Sequence, residues 1–101
     1  MTQTDLWGCG GHYVGYRDGD ELWGCDGRLI GRFYGHEVYG ADGRYLGELC
    51  DGNRLAAKSY RSAVLKPMLS TRRKGMRSRG MLGVRTPGSG YEDFPRIAEI
   101  P

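Results

Sequence analysis

Hydrophobic and polar positions in the first half of the chain repeat every sixteen residues. Residues 6–15, 22–31 and 38–47 align without gaps. In each, an aliphatic and an aromatic residue are followed by glycine, a polar turn, an apolar pair and a second glycine. A period of this kind indicates one supersecondary unit that is used several times.

Each copy is typical of a β-hairpin. Residues 26–27 and 42–43 are Asp-Gly pairs, the favoured centre of a two-residue type I′ turn, and residues 10–11 are Gly-Gly in the same place. About five residues on each side are enough for a short strand. The chain is therefore predicted to run as a meander of short antiparallel strands.

The predicted turn also sets which side chains share a face of the sheet. With two turn residues, Trp23 lies opposite Ile30, and these two side chains share one face. Leu22 and Leu29 then share the other face, beside glycines. Both faces are expected to carry apolar groups.

A fourth copy is predicted to begin at Arg54, with residues 55–57 in the place of Trp-Gly-Cys. The match resumes at residues 80–85, so residues 58–79 are interpreted as an insertion that replaces the fourth turn. Four copies allow a meander to close on itself and lose its exposed edges. The predicted fold is all-β: four sequential sixteen-residue hairpin repeats in a closed, pseudo-fourfold, flower-like meander or shallow barrel, with a long basic insertion in the fourth hairpin.

The domain limits follow from the repeat. We expect a single repeat domain over residues 1–95 and an irregular C-terminal tail over 86–101, which Tyr91 and Phe94 hold to the domain. The copies are predicted at residues 5–20, 21–36, 37–53 and 54–85, with the insertion at 58–79. Residues 56–65 contain helix formers ahead of Pro67, and whether the insertion is helical or disordered is left open.

The glycine and cysteine content indicates what kind of protein this is and where in the cell it lies. Glycine makes up 18 of the 101 residues, but it falls at fixed spacing among aromatic and aliphatic residues, which favours an ordered domain. The three cysteines are an odd number, and the sequence has neither a signal peptide nor a long apolar run. We therefore expect a cytoplasmic protein with free thiols.

Charge divides the chain sharply. Residues 1–52 carry four arginines and nine acidic residues, whereas residues 53–85 carry ten lysines or arginines and no acid. Small residues separate the cations of the insertion, which suits sequence-independent contact with phosphates. The candidate anion-binding residues are Arg72, Arg73, Lys74, Arg77 and Arg79, with nucleic acid or an acidic membrane surface as partner. Alternatively, the insertion is a solvated loop or docks on the carboxylates of its own domain.

One aromatic position of the repeat predicts a second kind of site. Trp7, Trp23, Tyr39 and Leu55 occupy equivalent places in the four copies. Around a central axis they would line a pocket for a small apolar or cationic ligand. The alternative is that they form the hydrophobic core, which a domain of this size needs.

Metal and catalytic chemistry find little support. Cys9 and Cys25 are equivalent and His12 lies near Cys9 in the hairpin, but alanines fill the other two equivalent positions. No ligand pair has the spacing that is usual for zinc. No phosphate loop, dinucleotide fingerprint or nucleophile–base set is present, so we expect no metal, no cofactor and no enzymatic activity.

The Trp/Tyr-Gly-x-Asp-Gly repeats, the basic break in the last copy and the closing segment at residues 90–95 resemble the 4-fold beta flower family of bacterial proteins. The resemblance covers most of residues 5–95. It implies four hairpins arranged like petals around an axis, and it implies no activity.

These observations predict a non-enzymatic binding or scaffold module that presents a basic loop to an anionic partner. Binding of a small ligand in an apolar pocket on the pseudo-fourfold axis is the alternative, as is a domain whose basic loop is purely structural. The oligomeric state is left open.

Overall fold

One antiparallel sheet closes on itself to form a barrel. A computed structural model describes residues 3–59 and 64–100, and its strands are neighbours in chain order. Parallel pairing of β1 with β7 closes seven strands into a barrel, and β8 pairs with the rest of β7. The predicted closed all-β fold is confirmed. The strands are β1 (Gln3–Gly8), β2 (Tyr13–Asp18), β3 (Glu21–Gly24), β4 (Leu29–Tyr34), β5 (Glu37–Gly40), β6 (Tyr45–Asp51), β7 (Arg54–Lys58) and β8 (Tyr91–Asp93).

The β3–β4 hairpin has a three-residue turn, residues 25–27, that ends in a bulge at Gly27, instead of the predicted two-residue type I′ turn. The Gly27 amide donates to the Gly24 carbonyl at 3.0 Å, and the Gly24 amide donates to the Arg28 carbonyl at 2.8 Å. This is a type I turn followed by a glycine with φ of +88°. Type I′ needs positive φ at both central residues, and in the described ranges only glycines have it. Asp26 instead accepts the Arg28 amide at 3.0 Å.

The longer turn changes which side chains face the interior, and the shift of register lies between Leu22 and Trp23. Leu22 pairs with Gly31 as predicted, but Trp23 then pairs with Leu29 and not with Ile30. Because side chains alternate along a strand, one extra residue moves the following side chains to the opposite face. Leu22 and Ile30 therefore share the barrel interior, whereas Trp23 and Leu29 pack together outside it.

The core fills the barrel and includes the C-terminal tail. Arg28 holds this tail by donating to the carbonyls of Ile97 at 2.9 Å and Ile100 at 3.1 Å. A short 3-10 helix, Ile97–Glu99, lies between these contacts. The tail is thus ordered by tertiary contacts: Phe94 is buried in the core, Tyr91 donates to Glu48, and the tail predicted as irregular contains β8 and this helix. The buried cluster comprises Leu6, Val14, Leu22, Ile30, Phe33, Val38, Leu46, Leu55, Phe94, Ile97 and Ile100.

The fourth copy differs from its prediction. The outer part of β7 pairs with β8, whereas residues 80–85, predicted as the returning strand, form no strand. The amides of this segment instead bond to the loop between β1 and β2, which draws it away from β7. The helix formers at residues 56–65 do not begin a helix, because residues 56–58 belong to β7; residues 60–63 lie outside the described residues.

Candidate functional site

Residues 64–85, called the belt here, follow one end of the barrel. In an antiparallel meander, alternate loops lie at the same end, so the β1–β2, β3–β4 and β5–β6 loops share one rim. The belt contacts all three. At each loop, two of its backbone amides donate to loop carbonyls, with N···O distances of 2.6–3.1 Å. The pairs are Lys66 to Gly43, Leu69 to Ala41, Lys74 to Gly27, Arg77 to Cys25, Leu82 to Gly11 and Arg85 to Cys9.

The belt has a period of its own. Its amide anchors recur every eight residues, while the loop carbonyls that accept them recur every sixteen in the opposite chain direction. Residues 66–70, 74–78 and 82–86 read Lys-Pro-Met-Leu-Ser, Lys-Gly-Met-Arg-Ser and Leu-Gly-Val-Arg-Thr. This eight-residue repeat is visible in the sequence, but its residue types differ from those of the sixteen-residue barrel repeat. It matches one belt unit to each hairpin loop.

Glycine at the bulge lets the belt backbone approach each loop. A Cβ at Gly27 would overlap the carbonyl oxygen of Lys74. Gly11 and Gly43 stand in the same relation to the carbonyls of Leu82 and Lys66. The positive φ of the turn and the close approach of the belt therefore select glycine at the same position.

Belt cations lie over the aromatic rings on the outer wall of the barrel. The Lys74 ammonium is 4.3 Å and the Arg72 guanidinium 5.3 Å from the centroid of Trp23. The Arg77 guanidinium is 3.8 Å from the centroid of Tyr16. These distances are those of cation–π contacts, so the outer aromatic residues hold the belt.

Four of the five predicted anion-binding residues also meet acids of the barrel. Arg72 pairs with Glu21, Lys74 is 3.2 Å from Asp18, and Arg77 and Arg79 are 3.4 and 3.1 Å from the two oxygens of Asp5. The guanidinium of the fifth, Arg73, is exposed and 3.5 Å from the Asp26 carbonyl oxygen. These contacts are ion pairs between the insertion and the carboxylates of its own domain, as the alternative interpretation of the insertion describes.

Two of the carboxylates that hold the belt, Asp5 and Asp18, have lowered pKa values. Burial raises the pKa of Asp5, but hydrogen bonds from Tyr13 and Arg79 outweigh it and leave the pKa below its ordinary 3.8. The hydrogen bond from Lys74 lowers the pKa of Asp18. A lowered folded-state pKa stabilises the fold above the unfolded value, and this stabilisation is lost as the pH falls through the folded pKa. The belt is therefore attached most firmly at neutral pH and weakens in acid below about pH 4.

The predicted axis pocket is not assembled. Trp23 and Tyr39 lie outside the barrel, and Trp7 packs against Tyr13 with ring centroids 5.4 Å apart. Leu55 instead belongs to the interior cluster. The bulges separate these equivalent positions, because they turn the aromatic residues outward while the interior is filled by aliphatic side chains and the tail.

The cysteines and His12 are likewise not gathered into a ligand set. The Cys9 thiol is buried and donates to the Leu55 carbonyl at 3.6 Å. The His12 Nδ1 is 3.7 Å from an Asp93 oxygen, and neither ring nitrogen makes a hydrogen bond within the described part of the chain. Across residues 3–59 and 64–100, no three His, Cys, Asp or Glu side chains are arranged to hold a metal ion.

A cavity of about 480 Å³ lies where the end of the belt meets β6 and β7. Its walls include Cys9, Cys50, Arg85 and Tyr91. Burial and the neighbouring Cys50 raise the pKa of Cys9 to about 11. The cavity therefore contains one buried, protonated thiol and one exposed thiol.

Iodoacetamide at pH 8 should modify Cys50 first and Cys9 about a hundredfold more slowly, because the thiolate is the reactive form and Cys9 is both buried and protonated. Peptide mass spectrometry over a time course measures both rates. In the Cys50→Ser variant the rapid modification measured at residue 50 should disappear. Equal rates at Cys9 and Cys50 in the native protein would contradict this description of the cavity.

No protein-family model, curated protein or solved structure matches the chain. The resemblance to the 4-fold beta flower family therefore stays a prediction. Among the helices of the described residues, none has the length and apolar character needed to cross a membrane.

Proposed function

We propose that this chain is a non-enzymatic binding module that presents its belt to an anionic partner, either a nucleic acid or an acidic membrane surface. The exposure of the paired side chains carries the proposal. Arg72 is 51% exposed against 22% for its partner Glu21, and Lys74 is 39% exposed against 17% for Asp18. At these two pairs the cation is more exposed than its acid, so the belt presents positive charge to the outside over this part of the acidic wall.

The charge of the belt supports the same proposal. Its 22 residues contain seven lysines and arginines and no acid, so its positive charge exceeds the charge of the three barrel acids with which it pairs. Contacts of this kind depend on phosphate charge and salt concentration rather than on sequence. A cytoplasmic location, expected from the cysteine content, belongs to this proposal. The belt cations are Lys66, Arg72, Arg73, Lys74, Arg77, Arg79 and Arg85.

The reactive residue types are occupied in ways that favour a non-enzymatic role. Asp26 accepts the Arg28 amide within its turn, and Asp42 does the same with Arg44. The raised pKa of Cys9 makes its thiol a weak nucleophile at neutral pH. These side chains serve the hairpin loops to which the belt is bound.

Neutralising exposed belt cations should weaken binding to anionic surfaces. The double variant Arg73→Gln/Arg79→Gln should bind heparin and anionic vesicles about tenfold to thirtyfold more weakly, since each cation near such a surface contributes about 1 kcal/mol. Binding of the wild type should also fall steeply between about 0.05 and 0.5 M salt. Heparin chromatography and vesicle co-sedimentation measure both effects.

The matched control is Arg17→Gln/Arg96→Gln, which removes the same charge from the barrel, where Arg17 contacts Asp20 and Phe33, and from the tail. It should retain most of the binding, and circular dichroism should confirm that both variants fold. Equal losses in the two variants would assign binding to net charge and not to the belt. A wild type that is not retained at low salt would overturn the proposal and favour a purely structural belt.

A further inference from the structure

Exposed apolar side chains are concentrated in the belt. All the large hydrophobic residues that are exposed in the described part of the chain lie between residues 64 and 84. Met68, Met76 and Val84 are the most exposed, at 76%, 82% and 79%. Their restriction to one segment rich in cations, instead of an even scatter over the surface, points to a role for that segment.

These three residues occupy one position of the eight-residue repeat. Each is the third residue of its unit and lies between two amides that are bound to a hairpin loop. Equivalent loops of a repeating barrel lie at the same height along its axis. The backbone at Met68, Met76 and Val84 is therefore held at three equivalent points around one end of the barrel. These three side chains are called the rim residues here.

Each rim residue is accompanied by cations. Lys66 precedes Met68 by two residues, Lys74 and Arg77 flank Met76, and Arg85 follows Val84. Aliphatic side chains beside lysine and arginine are the combination that binds the interface of an anionic bilayer, where the apolar groups enter the headgroup region and the cations meet phosphates.

The aromatic residues argue against a single-stranded nucleic acid as the partner at this surface. Single-stranded nucleic acids are bound through stacking on exposed aromatic rings. The belt contains no aromatic residue, and cations of the belt lie over Trp23 and Tyr16 on the wall. The aromatic rings on which bases could stack are thus covered by belt cations, whereas the aliphatic side chains of the belt are exposed to solvent.

We propose, on the basis of the function proposed above, that the partner is an anionic membrane surface and that the rim residues insert into its headgroup region. The loop anchors set the eight-residue spacing, and that spacing places the three side chains at equivalent points around one end of the barrel. Cations alone would bind a charged surface without such spacing, but insertion at three points also orients the barrel axis relative to the bilayer.

The variant Met68→Gln/Met76→Gln/Val84→Thr tests this inference with the charge of the belt unchanged. It should bind vesicles of phosphatidylcholine with about 30% phosphatidylserine about thirtyfold more weakly than the wild type. Its binding to heparin and to single-stranded DNA should stay within about twofold of the wild type, because those ligands respond to charge.

The matched control is Val64→Thr/Leu65→Gln/Met81→Gln, which removes three exposed apolar side chains at other belt positions. It should bind the anionic vesicles within about threefold of the wild type. Equal losses in the two triple variants would overturn the inference, as would wild-type binding to phosphatidylcholine alone that matches binding to anionic vesicles. Gel filtration that finds a dimer in the wild type and a monomer in the rim variant would likewise overturn it, with a second copy as the occupant.

Two further outcomes separate this inference from the proposed function. A wild type that binds heparin or DNA but not anionic vesicles sinks the membrane inference and leaves the anion-binding proposal standing. A wild type that binds none of these probes sinks both. Urea unfolding of each variant shows whether any loss of binding reflects a loss of fold, and Met76→Gln alone, with an expected threefold to fivefold loss, provides a milder test.

Discussion

Replacing Gly27 with alanine should lower the free energy of unfolding by about 2–5 kcal/mol, a large share of the about 5–15 kcal/mol typical of a small domain. Two costs add at this residue. Its φ of +88° is unfavourable for a residue with a Cβ. The Cβ would also overlap the Lys74 carbonyl oxygen, so the belt must move away from the β3–β4 loop. Chemical denaturation measures the loss.

Displacement of the belt has a second readout. Trypsin cleaves after residues such as Arg72, Arg73 and Lys74, which lie beside this loop. Cleavage in the belt of the Gly27→Ala variant should be faster than in the wild type under native conditions, because the anchoring amides are released. Mass spectrometry of the early fragments identifies the first site cut.

Gly19 provides the matched control. Its φ is +62°, but a Cβ there would meet nothing within 4 Å. Gly19→Ala therefore carries the backbone cost alone, about 1–2 kcal/mol, and should leave trypsin cleavage of the belt unchanged. If the two alanine variants lost the same stability and were cleaved alike, the belt backbone would not rest on Gly27.

Truncating Phe94 to alanine should lower the free energy of unfolding by about 3–5 kcal/mol, as expected for loss of a buried aromatic side chain and the cavity it leaves. Phe94 is 1% exposed and belongs to the same cluster as Leu22 and Leu55. It is also the residue at which the tail enters the core directly after β8. Thermal and urea unfolding measure the change.

Two comparisons sharpen this experiment. Phe94→Leu keeps most of the apolar volume and should cost less than half as much as Phe94→Ala. Leu65→Ala removes a side chain that is 66% exposed and should change stability by no more than about 0.5 kcal/mol. A loss below about 1 kcal/mol for Phe94→Ala would mean that the tail does not contribute to the core.

The hairpin loops explain why strand positions were easier to predict than strand faces. The Asp-Gly pairs mark turns at residues 26–27 and 42–43, and the structure has turns there. The same pair suits a two-residue type I′ turn and a three-residue loop with a bulge. The choice between them decides whether Trp23 lies opposite Ile30 or Leu29. A shift of one residue in this register moves the aromatic side chains from the barrel axis to the outer wall.

The belt illustrates a different kind of limit. Its cations were identifiable from charge alone, but their partners Asp5, Asp18 and Glu21 lie more than fifty residues away in the sequence. Only the closed barrel brings these acids beneath the belt. The eight-residue repeat at residues 66–86 was a usable signal, because evenly spaced anchors on a repeating rim require evenly spaced residues.

The sequence by itself determined a closed all-β domain, since a sixteen-residue alternation of apolar pairs, glycines and turn residues is satisfied by short antiparallel strands that remove their own edges. It also located the basic segment that breaks the repeat. Tertiary structure alone decided which face each side chain takes, that β8 and not residues 80–85 completes the pairing of β7, and that the basic segment lies along the rim. The physical reason is that strands and turns are specified by neighbouring residues, whereas bulge register and long-range ion pairs depend on contacts that exist only after the barrel has closed.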